Sequence, residues 1–401
     1  MVAMVADPLR DLARRHGQRR ALVDRSAGFR VSWFDLDGLA HAWAQRFESL
    51  GLRRGERVAV IEPAGIRFAA LMHACLRSGA AIVPISPRAP SAEIERVLTD
   101  CRPRLLVHDG EPDAQLSPAT GPESDACVLY TSGTTGDPKG VRLTLANQVA
   151  SALGCQQMLG AQDGDRWLLA LPPNHVGGLA VFMRAVICNQ PLITVARFQE
   201  HAVLEAIEAE RPTLMSVVPT MLTRLLDAEG LESLRRLRAI LVGGAPAPED
   251  EVRRWAGLGL NVCSTYGLTE TCSQVTLVPP GRAVELAGTA GVVCPHAAVT
   301  IVRGEIVVSG PSVSPGYVNT ALAAGPDGGS FATGDRGRLE DGVLTVLGRC
   351  DDTIITGGEN VRPEEVEAVL LGQPHVVDVA VAGRPDELWG EVVAATGGVV
   401  S

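Results

Sequence analysis

Lysine is almost absent from this 401-residue chain, since only Lys139 among its 36 basic residues is a lysine. A sequence with arginine at every other basic position accepts guanidinium wherever a generic positive charge is needed. An ammonium differs, because it is a compact, rotatable point charge on a flexible stem, whereas guanidinium is a rigid planar fork. The scarcity therefore marks Lys139 as a candidate functional residue before any motif is considered.

Other absences exclude whole classes of protein. There is no excess of positive charge, because the net charge is −10 and the pI is about 5.4, which argues against a nucleic-acid or anionic-membrane surface. No apolar run approaches the roughly eighteen residues of a membrane-spanning helix. The apolar stretch at the N-terminus is too short, and too soon interrupted by polar residues, to be the apolar region of a secretory signal peptide. We expect a soluble, cytoplasmic protein with small-molecule partners.

Metal-binding and disulfide patterns are missing as well. The nine cysteines are an odd number and include no Cys-x-x-Cys pair, so neither a zinc site nor a disulfide framework is indicated. Most of them lie inside apolar runs, which predicts buried, reduced thiols.

Short apolar runs alternate with helical patterns over most of the chain, which predicts α/β layers with parallel strands. The clearest units are strands at 57–61 and 81–85, a helix at 66–78 that ends at Gly79, and a helix at 91–101 capped by Ser91. After about residue 285, short strands with glycine turns predict a small β-rich subdomain. We expect a large N-terminal domain (1–348) of two α/β sheet subdomains plus the β-rich one, a hinge (349–351), and a small, incomplete α+β C-terminal lid (352–401).

The segment before Lys139 is rich in glycine and hydroxyl groups. Around the lysine, three glycines allow tight turns, and four Ser or Thr hydroxyls can converge on one anion. The common P-loop pattern is absent, and a flexible surface loop is the alternative. The residue types favour a phosphate-binding loop formed by Thr131, Ser132, Gly133, Thr134, Thr135, Gly136 and Lys139.

Two further motifs carry polar chemistry. Tyr266–Glu270 follows a predicted strand at 262–265, where open α/β sheets place ligands. Its tyrosine offers a flat face for a purine, and Glu270 offers a hard oxygen for Mg²⁺. Asp335 and Arg349 could hold the hydroxyls of a ribose. In isolation the first motif could equally be a turn, and the second a surface ion pair.

Taken in order, these motifs resemble the acyl-adenylate-forming superfamily of acyl-CoA synthetases. The resemblance covers essentially the whole chain, and the segments that carry it are Thr131–Gly140, 171–175, Tyr266–Glu270, 333–335, 348–351 and 357–360. Within the superfamily, the segments 241–248, 266–274 and 386–390 are most similar to the o-succinylbenzoate–CoA ligases of menaquinone biosynthesis.

The resemblance implies a two-step reaction that uses ATP, Mg²⁺ and coenzyme A. A substrate carboxylate would attack the α-phosphate of ATP and release pyrophosphate, and the thiol of coenzyme A would then displace AMP. Positioning and charge neutralisation would dominate catalysis, because the first step joins two anions. In these implied roles, Lys139 and the loop hydroxyls hold the β- and γ-phosphates, Thr269 reaches the α-phosphate, Glu270 holds Mg²⁺, and the nucleoside is framed by Gly244, Ala245, Tyr266, Gly267, Asp335 and Arg349.

The same resemblance suggests an acid-binding pocket. His175 would line it, although a packed loop histidine is the alternative. O-succinylbenzoate has a second carboxylate, and burial of that charge requires a partner. Arg224 is the candidate partner and Gln274 a nearby hydrogen-bonding group, and a solvated Arg224 is the alternative.

The C-terminal part departs from the family pattern. By resemblance, Asp351 is the hinge residue, and Gly357, Gly358 and Glu359 line the coenzyme A tunnel. The family inserts a lysine from near its C-terminus during adenylation, yet no lysine follows Lys139 here. Either the sequence is a truncated ligase, which we favour, or it is a natural variant. We expect it to bind ATP and acyl-adenylate but to form the adenylate slowly, which pyrophosphate exchange would reveal.

Two alternative functions fit the same sequence. One is a coenzyme A ligase for another aromatic or fatty acid, and the other is a non-catalytic module that binds adenylates. A homodimer is also among the expectations.

Overall fold

The structure is a computed structural model that describes residues 7–114, 121–122, 125–131, 139–319, 329–350, 354–356, 359–361, 363–386 and 389–399. The chain divides into two compact units. The first comprises Met1–Ala298 with Val308–Phe331, and the second comprises Val299–Val307 with Ala332–Ser401. The predicted hinge residue Asp351 lies outside the described residues, so the predicted domain boundary stays a prediction.

The helices, in chain order, are α1 (Pro8–His16), α2 (Trp33–Ser49), α3 (Ile66–Ser78), α4 (Ser91–Cys101), α5 (Leu145–Leu159), α6 (Val176–Ile187), α7 (Glu200–Glu210), α8 (Pro219–Asp227), α9 (Leu231–Leu234), α10 (Glu249–Gly257) and α11 (Pro363–Leu371). A single turn of 3₁₀ helix covers Thr269–Thr271.

The strands, in chain order, are β1 (Arg20–Asp24), β2 (Phe29–Ser32), β3 (Arg57–Ile61), β4 (Ala81–Ile85), β5 (Leu105–His108), β6 (Glu111–Ala114), β7 (Asp125–Thr131), β8 (Lys139–Thr144), β9 (Trp167–Leu169), β10 (Leu192–Thr194), β11 (Leu214–Val217), β12 (Ala239–Val242), β13 (Val262–Leu268), β14 (Ser273–Leu277), β15 (Gly291–Val293), β16 (Ala298–Val302), β17 (Glu305–Ser309), β18 (Gly316–Tyr317), β19 (Ser330–Glu340), β20 (Val343–Arg349), β21 (Ile354–Thr356), β22 (Glu359–Val361), β23 (Val376–Asp386) and β24 (Gly390–Val399).

Two sheets form the first unit, as the sequence predicts. One has the order β2-β1-β10-β9-β11-β12-β13-β14-β15, and the other has the order β18-β8-β7-β4-β3-β5-β6. The central strands of both sheets are parallel and alternate with helices, while antiparallel strands such as β2, β14 and β8 flank them. Large side chains fill the layers, and Trp33, Trp167 and Trp255 are fully buried.

Local sequence signals explain several element boundaries. Helix α3 has the predicted bounds and ends at Gly79, which takes the left-handed conformation (φ 67°) that glycine adopts without strain. Helix α4 also has the predicted bounds, but its predicted cap is wrong. Ser91 is already the first helical residue, and Pro90 occupies the N-cap position without a side-chain hydrogen bond.

The cysteine prediction is confirmed. All nine cysteines are free thiols, and seven of them are buried; Cys188 and Cys350 are half-buried. Burial raises the pKa of these thiols, for example to about 12 for Cys188. They are therefore poor nucleophiles at neutral pH.

The second unit contains β-rich structure and one helix. Its strands β16, β17, β19 and β20 are neighbours in that order, and a separate C-terminal sheet has the order β22-β21-β24-β23. Helix α11 begins at Pro363, as predicted, because proline suits the first turn of a helix. No helix of the described residues is long and apolar enough to cross a membrane.

Candidate functional site

The predicted phosphate-binding loop lies between two paired strands. Strands β7 and β8 are antiparallel, and Thr131 is the register partner of Lys139. The hydroxyl of Thr131 donates to the Lys139 carbonyl oxygen at 3.5 Å. The loop residues Ser132, Gly133, Thr134, Thr135 and Gly136 lie outside the described residues, so their phosphate contacts stay a prediction.

Lys139 faces a tyrosine that the sequence analysis did not select. Its Nζ lies 5.9 Å from the ring centroid of Tyr317, which is within the range of a cation–π contact. Strand β18 brings Tyr317 there by pairing with β8, and the Val318 amide donates to the Gly140 carbonyl at 2.8 Å. A tyrosine ring therefore forms one wall beside the ammonium.

The same tyrosine contacts Glu270. The phenol Oη of Tyr317 donates to Glu270 Oε1 at 2.9 Å. Burial first, and then the adjacent carboxylate, raise the pKa of Tyr317, so the phenol remains a proton donor. Lys139, Tyr317 and Glu270 thus form a continuous group, which we call the phosphate-side cluster. Scarcity could have identified Tyr317, since the chain has only three tyrosines.

Glu270 has the features of a one-carboxylate Mg²⁺ site. Its side chain is buried, and the Ser314 amide fixes its backbone by donating to the Glu270 carbonyl at 2.8 Å. Among the described residues, Oε2 of Glu270 has no protein partner. Groups of three or more His, Cys, Asp or Glu suited to a metal do not occur in the described part of the chain. A single carboxylate fits Mg²⁺, which commonly takes its other ligands from substrate phosphates and water.

The segment before Glu270 extends strand β13, and the alternative of a turn over this segment does not hold. The sequence predicts that the strand ends at 265, but β13 continues to Leu268 because β14 folds back and pairs with it. A side chain at Gly267 would have its Cβ 2.0 Å from the Ser273 carbonyl oxygen, so this close approach requires glycine. Tyr266 directly precedes Gly267 in the sequence, and Thr269 follows shortly after it.

Gly244 and Ala245 are exposed at the carboxyl end of β12, beside β13. Gly244 has a φ of +78°, which favours glycine. At Gly243 a Cβ would lie 2.2 Å from Thr265 Oγ1, so this loop packs directly on β13. Gly244 and Ala245 therefore follow the end of β12 next to β13, the strand that contains Tyr266. Contact of these residues with a base stays a prediction.

His175 is the N-cap residue of α6, and its carbonyl accepts from the Leu179 amide at 3.0 Å. Partial desolvation lowers the pKa of His175, although the nearby Glu93 opposes the shift. The lowered pKa favours the neutral form of the ring. Its position at a helix start next to a loop is compatible with the predicted pocket role.

Gln274 contacts an arginine, but it is Arg184 and not Arg224. The Gln274 side chain is buried, and its Oε1 accepts from Arg184 Nη2 and from Ser273 Oγ, the latter at 2.7 Å. Arg184 is only 3% exposed, and its guanidinium lies 5.4 Å from the ring centroid of Trp167. Within the described residues no carboxylate is in ion-pair range of Arg184. Arg184 is therefore a buried cation that lacks a counter-charge in this part of the chain.

Two polar atoms in this group also lack partners within the described structure. These are Arg184 Nε and Gln274 Nε2, and both are fully shielded from solvent. Sequence reasoning missed Arg184, although an arginine inside the otherwise apolar run of α6 is an available signal.

Arg224 occupies a different environment. Its side chain is 59% exposed, pairs with Glu200 at 2.5 Å, and stacks on Phe198 at 5.1 Å. A partner for a buried carboxylate must itself be shielded from water. This placement does not support the predicted substrate role of Arg224 and agrees with the solvated alternative.

Asp335 and Arg349 form a pair within the second unit. They are register partners in β19 and β20, and Arg349 Nη1 donates to Asp335 Oδ1 at 3.1 Å. Gly334 has a φ of +76°, and a Cβ there would lie 2.9 Å from Arg349 Nη2. The carboxylate–guanidinium arrangement exists as predicted, while its contact with a ribose stays a prediction.

The predicted coenzyme A residues are largely outside the described chain. Asp351, Gly357 and Gly358 are not described, and Glu359 begins β22 opposite Thr356. The hinge and tunnel roles of these residues therefore stay predictions.

Most of the chain is similar to known proteins. Residues 9–123 and 108–318 match the family described as AMP-binding enzyme, and residues 365–396 match the AMP-binding enzyme C-terminal domain. The 2-succinylbenzoate–CoA ligase of Bacillus cereus is 35% identical over 403 aligned residues, which cover 91% of this chain and 83% of the relative.

Two solved structures from Bacillus subtilis are similar in fold. The o-succinylbenzoate CoA synthetase in complex with the acyl-adenylate intermediate OSB-AMP has a TM-score of 0.87 and 32% identity, covering 97% of this chain and 87% of that one. The same synthetase in complex with ATP and magnesium ion has a TM-score of 0.86 and 31% identity, covering 97% and 88%.

Proposed function

The chain belongs to the AMP-binding enzyme family, and on that premise we propose that it is an acid–thiol ligase that joins 2-succinylbenzoate to coenzyme A. ATP and Mg²⁺ take part in the first half-reaction. Similarity to ligases of this specificity over most of the chain supports the proposal. The observation that carries the substrate assignment is the buried Arg184, which contacts Gln274 and has no carboxylate partner in the described structure.

Charge neutralisation is the first task of such a site. A substrate carboxylate attacks the α-phosphate of ATP, and pyrophosphate departs with the charge of the broken P–O bond. Lys139 follows the departing phosphates, because its ammonium sits on a flexible stem. Tyr317 limits where that stem can rest, since its ring lies 5.9 Å from Nζ.

Orientation of the metal ligand is the second task. Tyr317 donates to Oε1 of Glu270, so Oε2 is the oxygen left for a metal ion. Bound Mg²⁺ would neutralise phosphate charge at this carboxylate. Neither Lys139 nor Glu270 needs a proton transfer for these roles, which suits a reaction catalysed by positioning and electrostatics.

The second carboxylate of the substrate explains why a buried arginine is useful. A lone cation in a core is costly unless an opposite charge or several hydrogen bonds compensate it. Arg184 is partly compensated by Gln274 and Ser273. The ring carboxylate of the substrate, bound beside Arg184, would supply the negative charge that the guanidinium lacks. The same side chain disfavours a fatty acid, because an alkyl tail would bury the cation without compensating it.

The proposal is tested by coenzyme A thioester formation from ATP, Mg²⁺ and a panel of acids. The matched pair is 2-succinylbenzoate and 3-benzoylpropanoate, which lacks only the ring carboxylate. We expect thioester from the dicarboxylate and little from the monocarboxylate. Equal use of both acids, or preferential use of a fatty acid, would refute the substrate assignment. ATP binding without any turnover would favour the non-catalytic module.

We also carry forward the homodimer as a proposal. Light scattering on the purified protein at several concentrations tests it, and a mass near the 42.2 kDa of one chain would exclude it.

A further inference from the structure

The turn that precedes Gln274 has an unusual backbone. Cys272 and Ser273 are consecutive non-glycine residues with positive φ angles of 56° and 86°. Non-glycine residues rarely adopt positive φ angles, and they keep them only where surrounding contacts enforce the conformation. Gln274 directly follows, so the conformation of this turn sets where its side chain points.

Two hydrogen bonds hold the strained turn from outside it. Ser151 Oγ, on α5, donates to the Cys272 carbonyl at 2.7 Å. His296 Nε2 lies 3.1 Å from the Gln274 carbonyl oxygen. A carbonyl can only accept, so His296 carries its proton on Nε2 and donates. The two carbonyls flank Ser273, and the turn is therefore clamped on both sides.

His296 can reach this position because α5 has a glycine opposite it. A Cβ at Gly154 would lie 1.8 Å from His296 Nδ1 and 2.7 Å from its Cε1. Any side chain at position 154 would displace the imidazole. Glycine inside a helix is otherwise unfavourable relative to alanine, so its presence in the middle of α5 fits a slot for the ring.

The imidazole is neutral in this slot. His296 is 8% exposed, and burial is the main reason why its pKa is lowered, with Arg184 adding to the shift. Protonation would place a second cation beside a buried guanidinium. Nδ1 has no partner in the described structure, which agrees with a ring held by one hydrogen bond and by its fit against Gly154.

We propose that His296, seated on Gly154, is a positioning residue that holds the strained Cys272–Ser273 turn and so presents Gln274, with Arg184, to the acid substrate. The last step rests on the proposed function, since it takes the Gln274 group as the acid-binding site. His296 touches neither ATP nor the reacting carboxylate in this role. Its effect should therefore fall on acid binding rather than on the nucleotide.

The test compares KM values for the acid and for ATP. His296→Ala should raise the KM for the acid at least fivefold and change the KM for ATP less than twofold. His296→Gln should restore most of the acid affinity, because its amide nitrogen can donate from a similar position. Gly154→Ala should reproduce the His296→Ala result, and adding Gly154→Ala to His296→Ala should have no further effect on either KM.

Gly38→Ala is the matched control, because Gly38 lies inside α2 and a Cβ there would meet nothing within 4 Å. It should leave both KM values unchanged and raise the melting temperature slightly. The melting temperature of every variant is recorded, and Gly154→Ala carries the test if His296→Ala does not fold. An equal rise in both KM values, or an unchanged acid KM in folded His296→Ala or folded Gly154→Ala, would overturn the proposal.

These KM values are measured with whichever acid the wild-type protein activates. Failure of the wild type to prefer 2-succinylbenzoate would thus refute the proposed substrate. It would leave the test of His296 and Gly154 intact.

Discussion

Replacing Arg184 with methionine should show whether Arg184 or Arg224 binds the ring carboxylate of the substrate. Methionine keeps an unbranched side chain of similar reach and removes the charge. A guanidinium and a carboxylate about 4 Å apart interact by about 4 kcal/mol at an effective dielectric constant near 20. Truncation of one partner of a buried charged pair costs about 2–5 kcal/mol. Since about 1.4 kcal/mol is a factor of ten, this range predicts that Arg184→Met lowers kcat/KM for 2-succinylbenzoate by roughly 30- to 4,000-fold.

The analogue without the ring carboxylate makes the result specific. Arg184→Met should change kcat/KM for 3-benzoylpropanoate little, so the preference for the dicarboxylate collapses. Arg224→Met is the matched comparison, because Arg224 is an exposed arginine whose partner is Glu200, and it should preserve the preference. The melting temperature of Arg184→Met should not fall much, since a buried charge without a carboxylate partner is costly to desolvate, and its removal offsets the loss of its hydrogen bonds to Gln274 and Ser273. A preserved preference in Arg184→Met, or its loss in Arg224→Met, would refute the assignment.

Three other predictions concern the nucleotide side and stability. Tyr317→Phe should lower kcat/KM for MgATP about tenfold or more, because a hydrogen bond to a charged group contributes about 1.5–3 kcal/mol; an unchanged kcat/KM for MgATP in pyrophosphate release would contradict it. Lys139→Arg should slow pyrophosphate exchange but not thioester formation from synthetic acyl-adenylate and coenzyme A, and equal loss of both half-reactions would count against the assigned role. Burial lowers the pKa of His73 from 6.5 to about 4, so the unfolded chain binds a proton below pH 6.5 that the native protein does not bind until about pH 4. The free energy of unfolding should therefore fall by roughly 3 kcal/mol as the pH is lowered from 6.5 to about 4. Urea titrations of His73→Leu should lack this pH-dependent loss of stability.

Much of the architecture follows from local sequence pattern. Helix α3 and strands β3 and β4 have the predicted bounds, because their periodicity and the glycine stop signal are local. The extension of β13 to Leu268 was not predicted, since it depends on pairing with β14, which is a tertiary contact.

The candidate site shows the same division. Lys139 was identifiable because it is the sole lysine. Arg184 was not selected, because the direction of a side chain and its burial beside Gln274 depend on how α6 packs on β14. Sequence favours Arg224, which lies on a helix that follows strand β11, yet its partner in the structure is Glu200 on the surface of α7. Sequence gives residue types and order, whereas charge pairing is decided by packing.

The most direct test of the function is a competition among acids. The protein is incubated with ATP, Mg²⁺, coenzyme A and an equimolar mixture of 2-succinylbenzoate, 3-benzoylpropanoate, benzoate and a medium-chain fatty acid, and thioesters are identified by mass spectrometry. We expect 2-succinylbenzoyl-CoA as the dominant thioester, with AMP formed in equal amount. A dominant thioester of any other acid would contradict the proposed function.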